Sequence, residues 1–315
     1  MSRQLTVLAI GAAGLCLLAG VRSLSPRPFE PLPTGVSSQP VDFEQLGAMA
    51  ARASAAYESA DAIRQSYPKT ILVNSPGTMD VQYFVEQDNE ANTQHVTIRG
   101  TANRENFLED IDFTVHQTAG ASIPVAVGFD RVARRILADV TARLNKQHKT
   151  YVTGHSLGGA VATLLAFYLI EDGYNVGGVV TFGQPRFTTS DGVESGRLRA
   201  LSGVLVRVVD ENDVVPMLPP GSERTGSYGP FEHVGREIIL LDGAYYVDLP
   251  NHLADRLSVG ESWREWVSAR LRDHHMANYL ARLSTKSAGA VPVPYDDREK
   301  FVKKPGPTTD LILGR

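Results

Sequence analysis

The segment Lys149–Ala160 (KTYVTGHSLGGA) constrains the fold more than any other part of the chain. Thr150–Thr153 reads as a short strand. Leu157–Ile170 is apolar nearly all round, which predicts a helix buried against a sheet. Between them lies Gly154-His155-Ser156-Leu157-Gly158, a G-x-S-x-G pattern with its serine at the junction. A strand-to-helix turn this sharp holds the serine backbone in a strained conformation. Glycines two residues to either side let strand and helix approach closely. The hydroxyl then stands above the carboxyl ends of the strands, at a helix N-terminus that favours developing negative charge.

The flanking pattern extends this unit into a mostly parallel α/β sheet. Val179–Phe182 and Val204–Val209 are β-branched runs of the kind found in strands covered on both faces. Asp42 starts an Ala-rich amphipathic stretch to Tyr67 that Pro68 ends, with Phe43, Leu46, Ala50, Ala53, Tyr57, Ala60 and Ile63 on one helical face. Strands are expected at Val81–Glu86 and His95–Arg99, helices at Phe129–Leu144 and Glu261–Leu271, and a hairpin around Asp242-Gly243. A length of 315 residues suits one such domain with tails, and 43% hydrophobic against 21% charged residues excludes a mainly disordered chain.

Charge and cysteine content narrow the function classes. Lys and Arg total 31 against 35 Asp and Glu, a net charge of −4, so there is no electrostatic footprint for nucleic acid. The single cysteine, Cys16, excludes an intramolecular disulfide and a Cys-rich zinc site. Residues 1–23 read as a signal peptide or N-terminal membrane anchor, because Leu5–Val21 runs uncharged after Arg3. The expected localisation is exported: secreted, periplasmic or anchored. Residues 24–41 read as a Pro-rich linker, 42–284 as the folded domain, and 285–315 as a Pro-rich tail.

A serine hydroxyl needs a base, usually a histidine oriented by a carboxylate. On sheets of this kind the chain order is Ser, then Asp or Glu, then His. The acid candidates at a strand end are Asp210, Glu211 and Asp213. Four histidines follow: His233, His252, His274 and His275. The pattern alone leaves the choice open.

Over roughly residues 42–283 the sequence resembles the class 3, fungal-type lipases. The resemblance rests on Ile98-Arg99-Gly100-Thr101, Asn106-Phe107-Leu108-Glu109-Asp110, Gly128-Phe129, Gly154 to Ala160, Thr181-Phe182-Gly183-Gln184-Pro185-Arg186, Asn212-Asp213-Val214-Val215-Pro216, His233-Val234-Gly235, and Asp273-His274 before Tyr279-Leu280, in that order. It implies an α/β-hydrolase fold and a catalytic triad of Ser156, Asp213 and His274. It also implies an oxyanion hole from the backbone N–H groups of Leu157 and Thr101. His233 and His155 are then structural. The implied reaction is hydrolysis of carboxylic esters of lipids through an acyl-enzyme, with no cofactor or metal. The partners are an ester substrate and a lipid interface, with no obligate protein partner.

One segment departs from the family. Asn106-Phe107 stands where the lid helix usually carries Asn-Trp, and NRENFLED is strongly polar, with only Phe107, Leu108 and Ile111 apolar. A phospholipase or short-chain carboxylesterase therefore stands beside a triacylglycerol lipase. A non-catalytic binding module and a serine peptidase or amidase on the same fold are further alternatives.

Overall fold

The computed structural model describes residues 40–76, 81–101, 112–118, 123–219, 228–249 and 271–302. The signal or anchor, most of the linker, the NRENFLED segment, His252 and residues 261–270 of the expected helix lie outside the described residues. Among the described residues no helix is long and apolar enough to cross a membrane.

Thirteen strands are described. They are β1 (Thr70–Asn74), β2 (Tyr83–Asp88), β3 (Thr93–Ile98), β4 (Val115–Gln117), β5 (Pro124–Ala126), β6 (Lys149–His155), β7 (Val176–Phe182), β8 (Thr188–Thr189), β9 (Leu205–Asp210), β10 (Phe231–Glu232), β11 (Arg236–Leu240), β12 (Tyr245–Leu249) and β13 (Val291–Pro292). The main sheet runs β1-β2-β3-β6-β7-β9-β11-β12-β13. Its centre, β3 through β11, is parallel, and antiparallel pairs flank it on both sides. A small antiparallel sheet, β10-β8-β5-β4, sits apart from it.

The helices are α1 (Phe43–Ala55), α2 (Ala60–Ser66), α3 (Val127–Val140), α4 (Leu157–Glu171), the short α5 (Ser190–Glu194) and α6 (Arg199–Ser202), and α7 (Met276–Ser284). Helix α4 is buried along nearly its whole length, packing on β6 and β7 with α3 outside it. Leu164, Leu165 and Phe167 are essentially solvent-free, and full burial of such a side chain stabilises by roughly 1.5–3 kcal/mol. On the opposite face α1 and α7 pack together over Val180, Phe182, Val208, Ile238 and Leu240.

Two stretches differ from the sequence expectation. The Ala-rich run is two helices, not one. Asp42 caps α1 by accepting from Gln45 N, as expected, but Ser59 caps a second helix, so the chain turns at Tyr57. The run 285–302, expected to trail the domain, packs on it. Strand β13 pairs with β12, and Val293, Tyr295 and Phe301 cover an apolar cluster of Ile239, Leu241, Val247 and Leu249.

Candidate active site

The five central parallel strands end on the same side, and the chemistry-bearing loops leave from there. Strand β6 runs into Ser156, which adopts φ 60° and ψ −134° before α4 begins at Leu157. A serine in the left-handed region is strained, and the surrounding fold must hold it. Here Ser156 N donates to Phe182 O at the end of β7, and Ser156 O accepts from Gly159 N. The flanking glycines are required by contact: a β-carbon on Gly154 would lie 2.2 Å from Gly158 O, and one on Gly158 would lie 2.4 Å from Ile98 O.

Strand β3 ends beside this turn. A β-carbon on Gly100 would lie 2.8 Å from Ser156 Cβ, so the backbone leading to Thr101 passes directly against the serine. Thr101 and Leu157 are both buried. The Tyr57 hydroxyl accepts from Gly100 N at 3.2 Å and lies 2.7 Å from His155 Nδ1.

The turn after β9 supplies the carboxylate. Among the three sequence candidates the structure separates the roles. Asp210 faces Arg282 at 2.7 Å and accepts from Asn212 N, and burial outweighs the guanidinium, pushing its carboxyl up to about 6. Glu211 faces Arg298 at 2.9 Å, and burial raises its carboxyl as well. Asp213 is 2% exposed and turns inward. Its Oδ1 accepts from Val215 N at 2.9 Å, and its Oδ2 lies 2.7 Å from His274 Nδ1.

His274 sits between a 3-10 turn at Leu271–Asp273 and α7. Its ring stacks on that of His155, centroids 4.5 Å apart and planes at 25°, which places it at the serine turn. His275 is the residue before α7 and half-buried. His233 lies 2.7 Å through Nε2 from Pro216 O, bracing the acid turn.

The structure thus brings Ser156, Leu157, the Gly100–Thr101 backbone, Asp213 and His274 to one place. Sequence reasoning missed four residues that hold them there. Tyr279 donates to Asp213 Oδ2, and burial raises its phenol far above the usual range, so it remains a donor. Gly183 (φ +57°) leaves room between Asp213 and His274. Arg186, wholly buried, donates to Pro219 O at 2.5 Å and to Met217 O, fixing the far end of the acid turn. Tyr57 was counted on an apolar helix face. The G-Q-P-R and Tyr-Leu letters were visible in the sequence, but a hydrogen bond formed across 66 residues has no local signal. Among the described residues no cluster of His, Cys, Asp and Glu could hold a metal ion.

Residues 95–223 match the family model described as Lipase (class 3). The chain is 35% identical over 144 residues to the secreted mono- and diacylglycerol lipase 1 of Fusarium solani, covering 44% of this chain and 42% of that one. It is 30% identical over 177 residues to a lipase of Rhizomucor miehei, covering 52% and 46%. Its aligned part therefore spans less than half the length of these relatives. A solved triacylglycerol lipase, described as having a serine protease triad as its catalytic centre, superposes with a TM-score of 0.56 at 21% identity, covering 78% of this chain and 95% of that one. The chain has the α/β-hydrolase fold, and its segment 95–223 is similar to the class 3 lipases.

Proposed function

We propose that the protein is an exported serine hydrolase that cleaves carboxylic esters of lipids. The single observation that supports this best is the buried 2.7 Å contact of Asp213 with His274, on a ring stacked beside the strained Ser156 turn. Export rests on the uncharged run Leu5–Val21 and on the likeness to a secreted lipase of Fusarium solani.

Each residue then has a role. Ser156 Oγ attacks the ester carbonyl carbon while His274 Nε2 takes the hydroxyl proton. Asp213, facing Nδ1, holds the tautomer that leaves Nε2 as acceptor and stabilises the imidazolium once it forms. The carbonyl oxygen becomes an oxyanion and is met by the N–H groups of Leu157 and Thr101. Collapse of the tetrahedral intermediate breaks the ester C–O bond, and His274 returns the proton to the departing alcohol. Water, deprotonated by His274, then attacks the acyl-Ser156 ester; the acyl C–Oγ bond breaks, His274 returns the proton to Ser156 Oγ, and the acid leaves. Each step conserves charge within the site, so neither redox chemistry nor a cofactor is needed.

The test is a panel of nitrophenyl and glyceryl esters of graded chain length beside matched amides, with wild type and Ser156→Ala. Ester turnover that grows with chain length and vanishes in Ser156→Ala is the expected result. Faster cleavage of amides than of esters, or no turnover of any ester by folded protein, would overturn the reading.

A further inference from the structure

We infer that His155 is a positioning residue for the base: a neutral imidazole, held by Tyr57, whose face supports the imidazolium that forms on His274. The inference rests on the proposed role of His274.

The geometry has three parts. First, the two imidazole rings overlap face to face at 4.5 Å, whereas most ring pairs around the site meet edge-on. Second, the Tyr57 hydroxyl accepts from Gly100 N–H and lies 2.7 Å from His155 Nδ1, with the phenol taken as donor in that contact. A ring nitrogen that accepts a hydrogen bond belongs to a neutral imidazole carrying its proton on Nε2. Third, His155 is 1% exposed, so a charge on it would be costly.

Titratable groups facing His155 include Tyr57, from the link between α1 and α2, and His274 and Tyr279, from the segment at α7. Burial holds Tyr279 protonated, so it adds no charge. The charged group on the far side of His274 is Asp213. During turnover His274 becomes a cation between a carboxylate in its plane and a neutral π face above it. A cation over an aromatic face is attracted by the ring quadrupole. A protonated His155 in the same place would repel it. Tyr57 therefore links two parts of the site: it ties the backbone before Thr101 and fixes the charge state of the ring beneath the base.

A merely structural His155 would affect folding or turnover without moving the base's titration. Two variants separate these cases. His155→Leu removes the π face, so the acid limb of the kcat/KM profile should move down by about half a unit to one and a half units, the range from an exposed to a desolvated cation–π contact. His155→Phe keeps a neutral face and should hold the limb within about 0.3 unit of wild type. An unmoved limb in His155→Leu, or an upward shift, would overturn the inference.

Because a change beside Ser156 could disturb the turn, a second measurement uses the full chain with Ser156→Ala and ¹⁵N-labelled histidine. The His155 resonances should stay those of a neutral ring with an accepting Nδ1 while His274 titrates. Tyr57→Phe in the same background should let His155 take up a proton at a higher pH than before. Uptake of a proton by His155 in step with His274, with Tyr57 intact, would overturn the inference. Failure of the underlying reading has a different signature: His274→Ala would retain ester turnover.

Discussion

Tyr279 donates its hydroxyl to Asp213 Oδ2 at 2.6 Å, and that same oxygen faces His274 Nδ1 at 2.7 Å. The phenol oxygen in turn accepts from Asp210 N at 3.2 Å, so strand β9 and helix α7 meet on one carboxylate. The carboxylate therefore has no freedom to rotate away from the histidine. A hydrogen bond to a charged group is worth about 1.5–3 kcal/mol. Tyr279→Phe should lower kcat about ten- to a hundredfold while leaving KM within about twofold. Steady-state kinetics on the folded variant check this, and an unchanged kcat would remove Tyr279 from the site.

Gly183 follows β7 in the left-handed region at φ +57°, and a β-carbon there would lie 2.7 Å from Asp213 Oδ2 and 2.7 Å from His274 Cε1. Neither group can yield without breaking its contact with the other. Gly183→Ala should cost at least about a hundredfold in turnover, because small displacements of reacting groups are that expensive. Its expected loss of stability is about 1–3 kcal/mol, from the backbone strain. Parallel kinetics and thermal unfolding separate the two effects.

His95 lies on β3, stacked on Tyr151 at 5.1 Å, and burial followed by the nearby Arg52 charge pushes its imidazole down to about 4. The folded state therefore stays neutral at this ring while the unfolded chain takes up a proton. Stability from this group is fully present above about pH 6.5 and is lost as the pH falls toward 4, by up to about 3 kcal/mol. His95→Phe keeps a flat ring against Tyr151 and cannot titrate. Denaturant unfolding at pH 7 and pH 4.5 should show a smaller loss for the variant than for wild type.

The C-terminal run 291–302 should be part of the stability of the domain. It supplies Val293, Tyr295, Phe301 and Val302 to the cluster on β11 and β12, and Arg298 both stacks on Tyr295 at 3.8 Å and faces Glu211. The Arg298–Glu211 ion pair, with each side chain about one-fifth exposed, is worth about 1 kcal/mol net, because lost hydration offsets much of its attraction. The apolar cover is worth more, so deletion of 291–315 should lower Tm by about 10 °C. Arg298→Ala alone should shift it by no more than about 4 °C.

These features show what the sequence could and could not reveal. The strand–Ser156–helix unit was legible because its signals are local: a β-rich run, two glycines and an apolar helix follow one another within 22 residues. The parallel core was legible for the same reason, in continuous β-branched runs. The choice of Asp213 over Asp210 and Glu211 was not legible from pattern. All three occupy one turn, and what separates them is which side chain meets Arg282, Arg298 or His274. The Tyr57 contact was hidden because helical spacing placed that residue on an apolar face. It lies past the end of α1, where the chain turns toward the site. The packing of 291–302 was hidden because two-residue strands and 3-10 turns have too short a period to read.

The central claim, that Ser156 is a nucleophile activated by His274, is tested most directly by a fluorophosphonate probe mapped by mass spectrometry on the full chain. The expected result is one adduct on Ser156 in wild type and in His275→Ala. Ser156→Ala should carry none, and in His274→Ala labelling should be slower by several orders of magnitude, as loss of a triad member is. An adduct on another residue, or full-rate labelling of Ser156 in His274→Ala with loss in His275→Ala, would contradict it.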